Sequence, residues 1–523
     1  MFFENAKELD FSLEENKKKL DVAFSKVMSE RDNVYPLIIN GEKVFRDART
    51  DSINPAEKKQ ILGYVSLAST EDAHNTITCA EQAFQSFRLS PIKQRAKYIS
   101  LFVEKILQNR FELIAWLVLE SGKSIGEADG EICEAIDFCN AYCLHMNEIK
   151  RGVPLIHDDV EVRTCHYHGI GVGVAITPWN FPFSLAAGMA VAGILAGNSM
   201  VLKPSGDTPI IAYKLVEMLV DCGIPNGVVN FLCDSPNSSA IGEAIVTHPK
   251  TRFINFTGSR DVGLKINRVA AKTSSEQVWI KRVVAEMGGK NATIVDSSAD
   301  LDAAARGVCA AAFHYQGQKC SACSRVVVMD DIYDEFISKL IEKTSELSFG
   351  EGRLGFTCGP VINQTAFDRI CKYIETGKAE GKLLYGGESD DSKGFFIKPV
   401  IIEAERSHVI AKEEIFGPVL AVLRAKDIDE AIEIANDTEY GLTGSLFSKN
   451  PDNISKAKIN FFVGNLYINR RSTGAVVLQH PFGGYNMSGT ATKTGTKDYI
   501  LNFMQLKSIA EKTKIDGSNY GLY

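Results

Sequence analysis

The chain has 523 residues, of which 45% are hydrophobic and 24% are charged, as is usual for a globular protein with large cores. Its formal net charge of −7 offers no basic field for a phosphate backbone, so nucleic acid is not an expected partner. The length predicts two or three domains rather than one.

Three features favour a cytoplasmic protein without membrane contact. The N-terminus mixes charges and lacks the apolar segment, roughly 7–15 residues long, of a signal peptide. Twelve cysteines are too sparse in this length for a disulfide framework, so we expect free thiols. Residues 169–202 carry no charge and are long enough to span a membrane, but prolines and glycines interrupt them, so we expect a buried strand–helix–strand unit instead.

Up to about residue 150 the pattern is mainly helical, and amphipathic periodicity predicts helices over 72–87, 92–107 and 129–146. Short β-rich runs then alternate with helical ones. The predicted strands are 172–177, 200–203, 228–232, 252–256 and 292–296, with helices that include 210–222 and 238–247 between them. This alternation indicates parallel βαβ units.

A second alternating series follows the first. Its predicted elements are helix 301–313, strand 325–329, helices 332–347 and 364–380, and strands near 419–423 and 464–468. We therefore expect an α/β fold with two parallel-sheet domains in succession. Residues 152–168 and the tail after Tyr499 have a β-like pattern and could pair into a projecting arm.

Segment 317–323, with the sequence GQKCSAC, lies between a predicted Ala-rich helix and a predicted strand. Small neighbours leave the Cys320 thiol accessible, and Lys319 supplies a positive charge that favours the thiolate, so Cys320 is a candidate nucleophile. Three other interpretations stay open here: an inert structural cysteine, a redox pair with Cys323, and half of a zinc site. No second C-x-x-C or H-x₃₋₅-H pair is present to complete a zinc site, so no metal is expected.

Glu286 and Asn180 are candidates for acid–base and oxyanion chemistry. Glu286 stands beside Gly288 and Gly289, which permit a ligand to approach the backbone closely, so its carboxylate could activate water. Asn180 lies between two prolines at the end of an apolar strand and could present a preorganised N–H donor. Taken singly, each could also be an ordinary turn residue, although ligand sites of open α/β sheets do lie at strand ends.

Two further strand ends could hold a dinucleotide. Lys203 stands just past a predicted strand, where its ammonium could hydrogen-bond ribose hydroxyls. Segment 256–263 runs from a strand through Gly258 and Ser259 into a helix, whose N-terminus offers N–H groups and a positive dipole end to a pyrophosphate. The segment lacks the G-x-G-x-x-G fingerprint, and a solvated lysine and a plain helix cap are the alternative interpretations.

Together and in this order, these motifs closely resemble the aldehyde dehydrogenase superfamily. The resemblance covers nearly the whole chain and is carried by TPWN 177–180, LKPS 202–205, FTGS 256–259, EMGGK 286–290, GQKC 317–320, EEIFGP 413–418 and PFGG 481–484. Within the superfamily, the chain most resembles the branch that oxidises L-glutamate γ-semialdehyde. That similarity is carried by YPLIING 35–41, CSACSR 320–325, NRRSTGA 469–475 and NMSGT 486–490.

The resemblance implies the aldehyde dehydrogenase fold, with two Rossmann-like parallel-sheet domains and a small β oligomerisation arm. The implied parts are an NAD-binding domain of residues 1–148 and 170–286, a catalytic domain of residues 287–488, and an arm of residues 149–169 and 489–523. Because members of the family commonly dimerise through the arm, a homodimer or a higher homo-oligomer is expected.

The resemblance also implies NAD-dependent oxidation of an aldehyde to a carboxylate through a cysteine thioester. The expected substrate is L-glutamate γ-semialdehyde, in equilibrium with 1-pyrroline-5-carboxylate, in the second step of proline catabolism; another short carboxylated semialdehyde is the alternative. Cys320 would be the nucleophile, Asn180 an oxyanion donor, and Glu286 the base that activates water. An acylating enzyme that uses coenzyme A would lack Glu286, and a non-catalytic oligomer would not need these three residues.

The cofactor residues implied by the resemblance are Thr177, Pro178, Trp179, Lys203, Ser205, Gly258, Ser259, Val262, Glu414 and Phe416. The implied substrate residues are Phe181, Lys319, Ser321, Gly474, Ala475 and Phe482. One position departs from the family pattern: Gly206 stands where many relatives carry a glutamate against the adenine-side ribose. NAD is therefore the expected cofactor, and NADP stays possible.

Overall fold

Two seven-stranded sheets organise the chain in a computed structural model that describes residues 3–156, 161–236, 238–490 and 492–512. The helices up to residue 286 are α1 (Glu14–Ser29), α2 (Thr70–Phe87), α3 (Ile92–Gln108), α4 (Arg110–Ser121), α5 (Ile125–Ile149), α6 (Ser184–Leu195), α7 (Pro209–Val220), α8 (Ala240–Thr247) and α9 (Arg260–Ala270). The strands up to the same residue are β1 (Val34–Tyr35), β2 (Leu37–Ile39), β3 (Glu42–Val44), β4 (Arg49–Asn54), β5 (Glu57–Ser66), β6 (Glu161–Gly169), β7 (Val172–Ile176), β8 (Ser199–Lys203), β9 (Val229–Phe231), β10 (Thr251–Thr257) and β11 (Arg282–Glu286).

The first sheet has the strand order β11-β10-β7-β8-β9-β2-β3, and its strands β7 to β11 run parallel. Its central strands are almost wholly buried apolar runs, as expected of parallel strands that helices cover on both faces. The predicted βαβ alternation of this region is therefore confirmed. The uncharged run 169–202 folds as β7, α6 and β8 inside this core. Within the described ranges, no helix is long and apolar enough to cross a membrane.

The prediction of mainly helical structure up to residue 150 is correct for the helices but missed strands β1 to β5. Predicted helices 72–87 and 92–107 match α2 and α3 within two residues, and 129–146 lies inside α5. Strands β1, β4 and β5 form a small separate sheet, while β2 and β3 extend the first sheet at its antiparallel edge. Strands β1 to β3 have only two or three residues and are too short to show a periodicity. Strand β4 and the first residues of β5 are longer but mostly polar, so they show no apolar alternation.

The second half of the chain contains the other large sheet. Its helices are α10 (Leu301–Phe313), α11 (Tyr333–Ser345), α12 (Gln364–Glu380), α13 (Val409–Lys412), α14 (Ile428–Asn436), α15 (Pro451–Asn460) and α16 (Lys497–Leu501). Its strands are β12 (Ala292–Val295), β13 (Arg325–Met329), β14 (Lys382–Gly386), β15 (Ser389–Asp390), β16 (Phe396–Ile397), β17 (Val400–Glu403), β18 (Val419–Ala425), β19 (Thr443–Phe447), β20 (Asn465–Ile468) and β21 (Met504–Lys512). The sheet order is β14-β17-β18-β13-β12-β19-β20, with only β14 antiparallel, so the second predicted parallel sheet is also confirmed.

Strands β6 and β21 pair antiparallel into a two-stranded ribbon, with Gly169 opposite Met504 and Glu161 opposite Lys512. This is the pairing predicted for the two β-like segments. Residues 157–160 and 513–523 of those segments lie outside the described residues. The predicted domain boundaries and the role of the ribbon in oligomer formation stay predictions.

Candidate active site

Parallel strands of the first sheet end side by side at one edge. The register places Ile176 beside Lys203 and Phe256, and Thr257 beside Glu286. The carboxyl ends of β7, β8, β10 and β11 therefore meet at one edge, which is where open α/β sheets bind ligands. Most of the predicted cofactor residues follow these strand ends directly.

Cys320 lies in a loop that a strained turn precedes. Tyr315, Gln316 and Gly317 have φ angles of 52°, 55° and 66°. Positive φ is uncommon for residues other than glycine and concentrates at functional sites. At Gly317 a Cβ atom would lie 2.5 Å from the carbonyl oxygen of Gly417, so only glycine fits there. The turn redirects the chain after α10 and leaves Cys320 half-buried rather than enclosed in the core.

The Cys320 side chain lines two cavities. The larger has a volume of about 1120 Å³, and the smaller about 40 Å³. All six predicted substrate residues line the larger cavity: Phe181, Lys319, Ser321, Gly474, Ala475 and Phe482. Glu286 lines the smaller one, whose volume suffices for one water molecule. The thiol thus shares one space with the substrate residues and another with the candidate base.

Burial raises the pKa of the Cys320 thiol to about 12, and the nearby carboxyls of Glu286, Glu414 and Glu134 contribute in the same direction. The prediction that Lys319 favours the thiolate is wrong. The Lys319 ammonium lies 2.7 Å from a carboxylate oxygen of Glu127, which compensates its charge. The thiol therefore needs a base to accept its proton before it can attack.

Cys323 is not a redox partner of Cys320 in this structure. Its buried sulfur lies within hydrogen-bond distance of Thr293 Oγ1 and of the carbonyl oxygen of Arg325, both at 3.2 Å. All twelve cysteines lie in the described ranges and are free. In those same ranges, no group of three or more His, Cys, Asp or Glu side chains could hold a metal ion. The redox-pair and zinc interpretations of segment 320–323 have no support in this geometry.

Glu286, the last residue of β11, is buried and lies close to Gly483 and Gly489. A Cβ atom on Gly483 or Gly489 would lie 3.1 Å or 3.3 Å from its carboxylate, so these two glycines let the backbone close over it. Burial raises the pKa of Glu286 well above its ordinary value, and the positive charge of Lys493 partly opposes this rise. A carboxyl with a raised pKa is suited to accept a proton near neutral pH.

Lys493 is a candidate that the sequence did not reveal. Its ammonium donates to the carbonyls of Gly464 and Gly483, at 2.6 Å and 2.5 Å, and to Asn465 Oδ1 at 3.0 Å. These three bonds fix a positive charge close enough to Glu286 to act on its pKa. In the sequence this lysine stands between two threonines and looks like part of a surface turn.

Asn180 is buried beside the cysteine loop. Its side-chain amide donates to the carbonyl of Gln318, with an Nδ2···O distance of 3.1 Å, two residues before Cys320. Its own carbonyl accepts a hydrogen bond of 2.6 Å from the ammonium of Lys123. The amide is therefore held close to the cysteine loop, and its role as oxyanion donor stays a prediction.

The strand-end edge has an unused hydrogen-bonding group. The hydroxyl oxygen of Thr177 is buried and finds no hydrogen-bond partner in the described part of the chain. Lys203 is largely buried nearby, and burial lowers the pKa of its ammonium, while the carboxylates of Asp234 and Asp207 oppose this. A buried hydroxyl without a partner, beside a lysine, fits a ligand that carries hydroxyl groups, such as the ribose of a dinucleotide.

The remaining residues predicted to bind the adenosine and pyrophosphate parts lie along the same edge. Pro178 follows Thr177, and the Ser205 hydroxyl donates to Asp207 Oδ2 at 3.0 Å. Gly258 leads to Ser259, which caps α9 by accepting from the backbone N–H of Val262 at 3.4 Å. The cap leaves other N–H groups of the first turn without partners in the helix.

The structure also explains Gly206. A Cβ atom there would lie 2.6 Å from the backbone nitrogen of Pro236 and 2.7 Å from the carbonyl oxygen of Asp234. The loop that carries Asp234 thus passes too close for any residue larger than glycine. The Asp234 carboxylate of this loop acts on Lys203.

Glu414 and Phe416 reach this edge from the second half of the chain. The backbone N–H of Gly289 donates to Glu414 Oε1 at 2.9 Å, and the Glu414 carboxylate occupies the space that a Cβ on Gly288 would need. Burial raises the pKa of Glu414. Phe416 has a φ of 54°, and its ring meets the edge of Trp179 with centroids 5.4 Å apart. The EMGG and EEIFGP motifs are therefore in direct contact.

Apart from Lys319, the charged residues of the large cavity, of which Arg471 and Glu134 are two, were missed by the sequence analysis. Arg471 lines the cavity beside Gly474, where a Cβ atom would lie 3.1 Å from its guanidinium. Glu134 lines it too, and burial raises the pKa of this carboxyl to about 7 although the Ser184 hydroxyl donates to it at 2.6 Å. The spacing of Glu127, Glu131 and Glu134 on α5 was the available signal, since such residues share one helix face.

Comparisons with known proteins agree with this geometry. Residues 44–509 match the model of the aldehyde dehydrogenase family. The chain is 46% identical over 505 residues to the 1-pyrroline-5-carboxylate dehydrogenase of Geobacillus kaustophilus (strain HTA426), covering 96% of this chain and 98% of that protein. It is 47% identical over 504 residues to the enzyme of the same name from Bacillus thuringiensis (strain Al Hakam), with the same coverage. The crystal structure of 1-pyrroline-5-carboxylate dehydrogenase from Thermus with bound NAD superposes with a TM-score of 0.96 at 38% identity, covering 98% of this chain and 99% of that one.

Proposed function

The chain belongs to the aldehyde dehydrogenase family, and we propose that it oxidises L-glutamate γ-semialdehyde to L-glutamate with NAD, the second step of proline catabolism. One observation supports the assignment of the substrate. The cavity that reaches Cys320 is lined by the cation Arg471 and by the carboxyl of Glu134. An amino acid semialdehyde has an aldehyde, a carboxylate and an ammonium, and this cavity offers a complementary group to each.

In the proposed reaction, the Cys320 sulfur attacks the aldehyde carbon after giving up its proton to a base. The Asn180 side-chain amide and the Cys320 backbone N–H hold the resulting oxyanion. The hemithioacetal carbon on Cys320 then loses its hydrogen as a hydride, which NAD held at the strand-end edge would accept, and a thioester is left on the sulfur. Glu286 then takes a proton from the water that attacks the thioester, which releases glutamate and restores the thiol.

The proposed NAD site uses side chains from both halves of the chain. The unpartnered Thr177 hydroxyl and Lys203 face the adenosine half, and the N-terminus of α9 faces the pyrophosphate. Glu414 would hold the hydroxyls of the nicotinamide-side ribose, with Phe416 packed nearby. The aldehyde-bearing chain would lie between Phe181 and Phe482, which line the cavity.

The proposed grip on the substrate carboxylate consists of the backbone N–H groups of Gly474 and Ala475, with Ser321 and Arg471. Gly474 has a φ of 79°, and successive N–H groups in such a turn form an anion-binding nest. Glu134 is the proposed partner of the substrate ammonium. An ammonium at that position would keep the carboxyl ionised in spite of its burial.

Replacing Glu134 with glutamine tests the substrate assignment. We expect KM for glutamate semialdehyde to rise by roughly 10–100-fold, the value of a lost hydrogen bond to a charged group. Glutarate semialdehyde has the same carbon chain and carboxylate but no ammonium, so its KM should change by less than threefold. Initial rates of NADH formation give both constants. Equal changes for the two substrates, or no change for either, would refute Glu134 as the ammonium partner.

Cofactor choice gives a second test. The carboxylates of Asp234 and Asp207 act on Lys203, so they would repel the 2′-phosphate of NADP, and we expect NAD to be preferred. Asp234→Asn should lower KM for NADP by roughly 10-fold and leave KM for NAD nearly unchanged. Asp221→Asn, at an exposed site that pairs with Lys105, makes the same change in net charge and serves as the control. An equal gain in the control variant would contradict this origin of the preference.

We further propose a cytoplasmic homo-oligomer, assembled through the ribbon of β6 and β21. The support for assembly is that apolar side chains of this ribbon are exposed, among them Val162, Leu506 and Ile509. Exposed apolar side chains on a projecting two-stranded ribbon suit a protein contact. The proposed domains are those of the sequence analysis, with the ribbon separate from both sheets.

A further inference from the structure

Lys123 is one of the most deeply buried side chains of the molecule, although lysine is rarely buried at all. It follows α4 directly after Gly122, whose φ of 72° ends that helix in the left-handed conformation. No part of the side chain is exposed to solvent. Burial of an ammonium is costly unless polar groups compensate it, so its contacts show what the site requires of it.

The Lys123 ammonium contacts the segments on both sides of the candidate oxyanion site. It donates to the carbonyl oxygen of Asn180 at 2.6 Å. It also lies 3.8 Å from the ring centroid of Phe181 and 4.1 Å from that of Tyr315. Tyr315 belongs to the strained turn before Cys320. The Lys123 ammonium thereby connects the turn that contains Asn180 with the turn that precedes Cys320.

Glu131 completes the arrangement from α5. One of its carboxylate oxygens lies 3.0 Å from the Lys123 ammonium, and this side chain is also fully buried. The other oxygen accepts from the backbone N–H groups of Phe183 at 2.8 Å and Ser184 at 3.1 Å. Helix α6 begins here without a side-chain cap of its own. The ion pair therefore holds turn 180–184 at both ends.

We propose that Lys123 is a positioning residue for catalysis, which fixes the side-chain amide of Asn180 relative to Cys320. The inference rests on the proposed function, in which Asn180 stabilises the oxyanion. The Lys123 bond is to the backbone carbonyl of Asn180, and the side-chain amide extends to the cysteine loop at Gln318. Without that bond the turn is free to shift, and a displacement of about 1 Å at such a site costs roughly 10²-fold in rate.

The test uses the double variant Lys123→Met, Glu131→Gln, which removes the charge pair without leaving one charge buried alone. We expect the single-turnover rate constant of NADH formation to fall by roughly 10–100-fold, with an unchanged Kd for NAD. The matched control is the double variant Arg110→Met, Asp129→Asn, which removes another buried ion pair of α4 and α5 and should keep the rate constant within about threefold of the native value. If the Lys123→Met, Glu131→Gln variant does not fold, Lys123→Gln, Glu131→Gln also removes both charges and carries the same test.

A cycle with Asn180→Ala separates positioning from a general structural role. Asn180→Ala alone should lower the rate constant by about 10²–10³-fold. Adding Lys123→Met and Glu131→Gln to the Asn180→Ala variant should then lower the rate constant by less than about threefold more. The proposal would be overturned if Lys123→Met, Glu131→Gln lowered the rate constant as much in the Asn180→Ala variant as in the native protein. It would also be overturned if these two substitutions did not lower the rate constant of the native protein. No effect of Asn180→Ala by itself would instead count against Asn180 as oxyanion donor, and so against the proposed mechanism.

Discussion

Cys320→Ala should lower the steady-state rate of NADH formation by roughly 10⁶-fold, the loss typical when an enzyme's nucleophile is removed. The reason is that, in the described part of the chain, Cys320 is the one thiol that lines both cavities, whereas Cys133 lines only the larger. NAD should still bind with a nearly unchanged Kd, because the proposed cofactor residues lie outside both cavities that Cys320 lines. Rates with glutamate semialdehyde and calorimetric titration of NAD measure the two quantities.

Cys323→Ala is the matched control, since it removes a thiol three residues away. The Cys323 thiol bonds only within the core, to Thr293 and to the Arg325 carbonyl, so we expect some loss of stability and a kcat within about fivefold of the native value. Loss of activity in the Cys323 variant equal to that in the Cys320 variant would revive the redox-pair interpretation. Retention of activity by the Cys320 variant would rule out the thioester mechanism.

The sequence predicted the elements whose patterns are long or fully apolar. Helix α10 and strand β13 begin and end at the predicted residues, because an Ala-rich helix and an uninterrupted apolar strand follow one another there. Strands β1 to β5 could not be predicted in this way. Strand β2 pairs with β9 far away in the sequence, at Ile38 and Phe231. Strands β4 and β5 pair locally with each other, but their sequences are largely polar and show no apolar alternation.

The residues of the candidate site differ in the same way in how far the sequence reveals them. Cys320, Asn180 and Glu286 are visible in the sequence because each belongs to a short motif whose glycines and prolines fix the local backbone. Lys123, in the connection between α4 and α5, and Glu134, on α5, belong to none of these motifs. Their importance arises only when they contact the segment of Asn180 and Ser184 after β7. The error about Lys319 has the same origin, because the sequence does not show that Glu127 approaches it across 192 positions.

Glu286→Gln should slow hydrolysis of the thioester much more than hydride transfer. Removal of a general base costs about 10²–10⁴-fold, whereas the attack by Cys320 and the oxyanion donors are left in place. Stopped-flow mixing with glutamate semialdehyde should then show a burst of NADH of about one equivalent per site, followed by slow turnover. A second buried carboxyl provides the control: Glu134→Gln should alter KM and show no burst.

The pH dependence of hydrolysis follows from the burial of Glu286. Its pKa is raised well above the ordinary value, and only the ionised carboxylate can accept a proton from water. A raised pKa means that the active form is scarce at low pH and increases as pH rises, so the hydrolysis rate of the native protein should climb with pH above the range in which an ordinary glutamate titrates. The glutamine variant has no group to ionise there, so its slow phase should be much flatter over the same range. If native and variant profiles were parallel, or if the variant showed no burst, water activation would have to be assigned to another residue.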